Sequence, residues 1–261
     1  MRAKLLDHCS VAMQDNDTSV TAARSSIRTR VQTVAPWLAR VLPFAFFMGV
    51  LALRGALSAP ATGTVELLSP ASFDGRWLYA LQALGALALL LALRPAYSEL
   101  FALPRSAAAA SLSVLSGLAV FLVWIAPAPG WMHLGAESAA FVPVDEQAAL
   151  RWDLVAIRAF GAVAVVPFME ELFWRSFLLR WIDQRDFLAL APGSASWKAL
   201  CLSSAVFALA HDLWLAGFLA GMAYAGLYRR YANLWYPILA HATSNLALAL
   251  WVVDRRAWSY W

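Results

Sequence analysis

The sequence predicts an all-α fold, a polytopic transmembrane helical bundle of about seven or eight spans. Three observations predict it. The 261-residue chain is 62% hydrophobic and only 14% charged, against about 25% charged in soluble domains. Its apolar runs reach the roughly 17–25 residues that a helix needs to cross hydrocarbon. Its arginines gather at the ends of those runs, where they act as topology signals. The formal net charge of +4 is therefore no nucleic-acid footprint, and no nucleic-acid partner is expected.

Three regions follow in order. Residues 1–35 form a polar tail, expected to be cytoplasmic. Asp7, Asp15 and Asp17 argue against a transit peptide, and no cleaved signal peptide is recognised. Residues 36–150 hold the N-terminal transmembrane helices and a loop. The first span, 37–57, carries Arg40 and Arg54, whose long stems can snorkel to the interface. The second, 77–93, is almost pure Leu and Ala, and the third covers 107–126. Between them lie a Pro/Gly/Ser/Thr loop over 58–76 and a connector over 94–106 with Arg94 and Arg105. The loop 127–152 opens on Pro127, Pro129 and Gly130, which break the helix. It then carries Glu137, Asp145 and Glu146; a short interfacial helix is expected there, with His133 a solvated loop residue.

The third region, 151–255, holds spans at 154–182, 197–211, 213–228 and 235–253. The fourth is long enough to tilt. Small pairs in the sixth, Ala216-Gly217, Ala220-Gly221 and Ala225-Gly226, favour close helix packing. The Lys and Arg count by loop puts the N-terminus in the cytoplasm and the acidic 127–152 loop on the other side. Seven spans then leave Arg255 and Arg256 on the wrong side, which would be resolved if the fifth and sixth segments do not both cross. Only Lys4 and Lys198 are lysines among the 20 basic residues. With so much alanine this suggests a GC-rich bacterial genome, and so the inner (cell) membrane. Cys9 and Cys201 give no disulfide framework and no Cys-based metal site.

Chemistry concentrates in three places. Glu170 and Glu171 lie side by side in the fourth span, followed by Arg175. Residues four apart share a helix face, so Glu171 can pair with Arg175 while Glu170, turned by about 100°, is free to face a cavity. Two adjacent acids can thereby acquire different tasks. Phe207 and His211 repeat the four-residue spacing, as do His241 and Asn245. Singly, each has an architectural explanation: an ion pair, a packed histidine, an interhelical hydrogen bond. Together they are most of the strongly polar residues of the last four spans, and a bundle that hides them from lipid must cluster them. A carboxylate and a histidine can deprotonate a water and pass the proton to a leaving amine. A histidine and an asparagine amide can donate to the oxyanion of a tetrahedral intermediate. Glu170 and His211 are thus the expected water-activating pair, and His241 and Asn245 the expected oxyanion donors. Two histidines and a carboxylate could instead bind zinc, but the HExxH signature is absent; no metal or other cofactor is expected. Ser203, Ser204 and Ser244 lie near these motifs without a nucleophile elbow.

In order and spacing, Glu170-Glu171-x-x-x-Arg175, Phe207-x-x-x-His211 and His241-x-x-x-Asn245 resemble the CPBP family, the CAAX prenyl protease and bacteriocin-processing (Abi-like) intramembrane endopeptidases. The resemblance covers about residues 155–250. It implies a glutamic-type membrane protease with Glu170 and His211 as water activators, His241 and Asn245 supporting the oxyanion, and Glu171, Arg175 and Phe207 in support. The wording around Glu170 looks most like bacterial members found alongside exosortase sorting systems, which implies components of such a system as partners, besides the bilayer and a membrane-associated protein or peptide substrate. The competing expectation is a catalytically silent CPBP-like scaffold or chaperone in membrane protein sorting.

Overall fold

The structure, a computed structural model, describes residues 34–58, 74–134 and 140–261. The polar tail over residues 1–33, most of the 58–76 loop and Glu137 lie outside them. Seven helices follow the seven expected segments to within a few residues. They are α1 (Pro36–Ser58), α2 (Leu78–Leu93), α3 (Ala107–Trp124), α4 (Trp152–Asp183), α5 (Trp197–Leu209), α6 (Trp214–Tyr231) and α7 (Trp235–Arg255). Their ends obey capping rules. Ser106 and Ser196 accept from the backbone N–H of Ala109 and Ala199 and so start α3 and α5. Left-handed Ala232 (φ 50°) and Arg256 (φ 51°) close α6 and α7.

Two features of the interior come from proline. Pro43 inside α1 has no N–H for the carbonyl four residues back. That carbonyl, of Ala39, accepts instead from the Tyr97 hydroxyl at 2.9 Å. The long α4 is not one regular helix. It widens into π-helical turns at Gly161–Val165 and again at Leu172–Leu178, on either side of a short α segment, Val166–Glu171. Pro167 lies at the junction of the first.

α4 occupies the middle of the bundle, packed on α1, α2, α5, α6 and α7. Its Leu154, Val165, Met169, Leu172 and Leu179 are buried. The small residues of α6 let α5 in close: a Cβ built on Gly221 would stand 2.9 Å from Ser204 Cβ, and one on Gly217 3.2 Å from Ala208 Cα. Gly226 meets nothing comparable. At Gly117 of α3 a Cβ would collide with the Ala240 carbonyl of α7. The outer faces carry exposed leucines such as Leu81, Leu84, Leu115 and Leu122, the surface that a bundle presents to lipid rather than to water.

Five of the helices, α1–α4 and α7, are long and apolar enough to cross a membrane. α5 is apolar but has 13 residues, or about 20 Å of rise, short of the roughly 30 Å of hydrocarbon. Its C-terminal end meets the loop after α3. There Leu134 N–H donates to the Asp212 carbonyl, Trp214 Nε1 donates to Trp131 O, and His133 forms an isolated bridge with Leu213. The exposed His133 remains a loop residue. Instead of the expected interfacial helix, the described part of this loop forms one 3₁₀ turn, Gly130–Met132, because Pro127 and Pro129 interrupt the hydrogen bonding before it.

The snorkelling expected of Arg40 is corrected. Its side chain is 0% exposed and bound by Glu99, from the connector between α2 and α3, at 2.6 Å. Arg40 also donates to Ser176 Oγ and to the carbonyls of Pro36 and Ala96. Arg180 at the end of α4 completes the cluster, 3.7 Å from Glu99 and 2.9 Å from Ser176 Oγ. Ser176 in turn donates to Glu99. A guanidinium this deep is tolerated only when paired. Arg54 is half-buried and donates to Gln82 Oε1 at 3.1 Å.

Burial raises the Glu99 carboxyl, but the charge and hydrogen bonds of Arg40, with help from Ser176, hold it below its usual value of 4.5. A depressed carboxyl contributes stability above its unfolded pKa and loses it as pH falls through the folded one. The melting temperature of the protein in detergent should therefore fall below pH 4.5. Glu99→Gln should melt lower than wild type at neutral pH, and the difference should shrink on acidification; a constant difference would refute the linkage.

Candidate active site

The two acids of α4 separate as helix geometry requires. Glu171 is 0% exposed. Its Oε2 stands 3.0 Å from Arg175 Nε one turn on, and its Oε1 accepts from His241 Nδ1 of α7 at 2.9 Å. Arg175 lies over the rings of Phe207 (4.6 Å) and Tyr224 (5.3 Å) and reaches the Gly221 carbonyl of α6 at 3.4 Å. One carboxylate thus ties together α4, α6 and α7.

Glu170 points elsewhere, into a cavity of about 220 Å³. Its Oε2 is buried and makes no hydrogen bond to a protein group. His211, His241 and Asn245 line the same cavity, as do Phe207, Tyr224 and Ser244. All four residues expected to carry chemistry therefore meet at one space, although they come from α4, the α5–α6 junction and α7.

The orientation of each ring is set locally. His211 Nδ1 stands 2.8 Å from the Phe207 carbonyl four residues back. A carbonyl only accepts, so Nδ1 carries the proton, and in the neutral ring Nε2 keeps the lone pair. Phe207 (4.5 Å) and Trp124 of α3 (5.4 Å, edge-on) hold the ring from the sides. His241, with Nδ1 given to Glu171, keeps Nε2 for the cavity. It stacks on Tyr224, centroids 5.0 Å apart and planes 19° apart. The Tyr224 hydroxyl donates to Ser244 Oγ at 2.7 Å, and Ser244 donates to the His241 carbonyl at 2.8 Å. Ser244 is thus engaged, as is Ser203, which donates to the Leu200 carbonyl.

Asn245 has an attachment that the sequence did not reveal. Its Nδ2 donates to the Ala162 carbonyl of α4 at 2.7 Å. In the π turn the Val166 N–H bonds to Gly161 O, not to Ala162 O. The next candidate donor to Ala162 is residue 167, which is proline and has no N–H. Pro167 thereby frees the carbonyl that Asn245 takes. An amide nitrogen has two N–H donors, so one remains for the cavity.

Tyr224 is a further member of the site missed in the sequence, where it looks like one more aromatic of an apolar helix. Its spacing from Gly217 and Gly221, small residues on the face turned to α5, was the available signal. Among the described residues no group of three or more His, Cys, Asp or Glu gathers in a way that could hold a metal ion.

Residues 152–247 match the family model named Rce1-like, described as type II CAAX prenyl endopeptidase Rce1-like. No curated protein and no solved structure matches the chain. The match begins with α4 and ends within α7, so it covers the cavity residues of those helices and leaves α1–α3 outside.

The two acids should differ sharply in what their loss does to the fold. Glu171→Ala leaves Arg175 buried without its anion and should cost about 3–5 kcal/mol of stability. Glu170→Gln, which breaks no protein hydrogen bond at Oε2, should cost under about 1 kcal/mol. Denaturation of the purified variants in one detergent would show the contrast, and equal losses would contradict it.

Proposed function

We propose that this integral membrane protein, whose residues 152–247 match the type II CAAX prenyl endopeptidase Rce1-like family model, is an intramembrane endopeptidase that hydrolyses a peptide bond of a membrane-associated protein or peptide through a Glu/His-activated water. The observation that carries the reading is the meeting of Glu170, His211, His241 and Asn245 around one cavity inside the bundle.

In this reading, Glu170 and the Nε2 of His211 hold a water between them and take its proton as the oxygen attacks the carbonyl carbon. The carbonyl oxygen becomes an oxyanion, which the second N–H of Asn245 stabilises together with His241, whose Nε2 carries a donor proton in the imidazolium form that Glu171 balances. The proton then moves to the leaving nitrogen as the C–N bond breaks, giving a carboxylic acid and an amine. Atoms balance with water as the only co-substrate. Glu171 and Arg175 fix His241, and Phe207 fixes His211. Burial strengthens each of these interactions because the surrounding dielectric is low. The Arg-rich ends of α1, α4 and α6 favour a cytoplasmic N-terminus in a bacterial inner membrane, with sorting-system components as partners.

Glu170→Ala and His211→Ala, purified in detergent and given a panel of prenylated and unprenylated fluorogenic peptides, should each lose about 10²–10⁴-fold in kcat/KM, the range for loss of a general base. Cleavage at the wild-type rate by either variant would overturn the assignment. If all of the site residues could be replaced without effect, the scaffold reading would take its place.

A further inference from the structure

The cavity has a second charged wall that the hydrolytic reading leaves unused. Arg158 of α4 lines it together with Tyr79, Tyr260 and Trp261. Its guanidinium lies 4.4 Å from the centroid of Tyr79 and 5.7 Å from that of Phe141. Its Nε is buried and has no hydrogen-bond partner. Arg54 of α1 stands over the same Tyr79 ring at 5.8 Å, its Nη1 given to the neutral amide oxygen of Gln82. Among the described residues neither guanidinium is paired with a carboxylate. The contrast with the rest of the bundle is direct: Arg40 and Arg180 share Glu99, and Arg175 has Glu171.

Two cations facing one ring repel each other, and burial without an anion is costly. A cavity with Arg158 in its wall and a second guanidinium at the same Tyr79 ring attracts negative charge, and a planar guanidinium fork suits a carboxylate in particular. The position adds a length. Arg158 precedes Glu170 by twelve residues on the same helix, about 18 Å along its axis. An extended chain covers that in about five residues.

We propose that Arg158, with Arg54 beside it, is a subsite that receives a carboxylate of the peptide substrate, about five extended residues from the bond that is cut. The inference rests on the endopeptidase reading for its ligand class. The carboxylate can come from an acidic side chain or from a free C-terminus, and both present the same anion.

Binding tests it without relying on turnover. The full chain carrying Glu170→Gln is held in detergent, and its affinity for fluorescent peptides is read by anisotropy. Three peptides of one sequence are used: one with a free C-terminus, one amidated, and one amidated with a glutamate five residues from the intended cleavage point. One or both carboxylate peptides should bind about tenfold or more tightly than the neutral amide, as charge-assisted pairs do. Which of them binds tightly identifies the source. Adding Arg158→Gln should bring the ratio close to one, Arg158→Lys should keep part of it, and Arg54→Gln should reduce it. A ratio near one in the parent protein, or a preference that survives Arg158→Gln, would overturn the subsite. Such a result would leave cleavage by the wild-type protein, measured separately, untouched.

Discussion

The arrangement depends on a single carboxylate placed where water cannot reach it. Glu171 has no solvent to share its charge, so every lone pair must be met by the protein. Arg175 meets one oxygen and His241 the other. The His241 bond fixes the phase of α4 against α7, and the Arg175 guanidinium, over the rings of Phe207 and Tyr224, extends the same constraint to α5 and α6. The neighbouring acid inherits the opposite condition. Turned by about 100°, Glu170 escapes the ion pair and faces open space. Two chemically identical side chains are thus given different surroundings by nothing more than adjacency on a helix.

Inside a bilayer the backbone obeys the same accounting. Each proline within a span strands a carbonyl, and in both described cases a side chain from elsewhere in the fold claims it. Tyr97 does so for Ala39 opposite Pro43, and Asn245 for Ala162 opposite Pro167. The first link joins α1 to the connector after α2. The second brings an amide of α7 to the rim of the cavity. Helix irregularity and site construction are therefore one event in α4.

Much of this was legible in the sequence, for a definable reason. Apolar runs report helices directly, so the seven helical segments could be drawn from the sequence, although only five of them are long and apolar enough to cross a membrane. The cost of hiding Glu170, His211, His241 and Asn245 from lipid required them to cluster, and they line one cavity. What the sequence hid were relationships between distant positions. Arg40 looked like an interfacial arginine because nothing near it in the chain is acidic; its partner, Glu99, is 59 residues away. The π turns escaped notice because hydrophobic periodicity averages over the single extra residue that each one holds. The role of Asn245 toward Ala162 needed a backbone acceptor, which no motif records.

That extra residue has a consequence for how the helix can vary. A π turn is an insertion absorbed without breaking the rod, and it advances everything beyond it by about one residue of rotation. The face that Arg158 presents and the face that carries Glu170 lie on opposite sides of Gly161–Val165, so their angular offset is set by that turn and not by the count of helical repeats. Removing that one position would restore a regular turn and leave Arg158 and Glu170 on the faces they hold now, whereas an extra residue in an unwidened helix would rotate one against the other by about 100°.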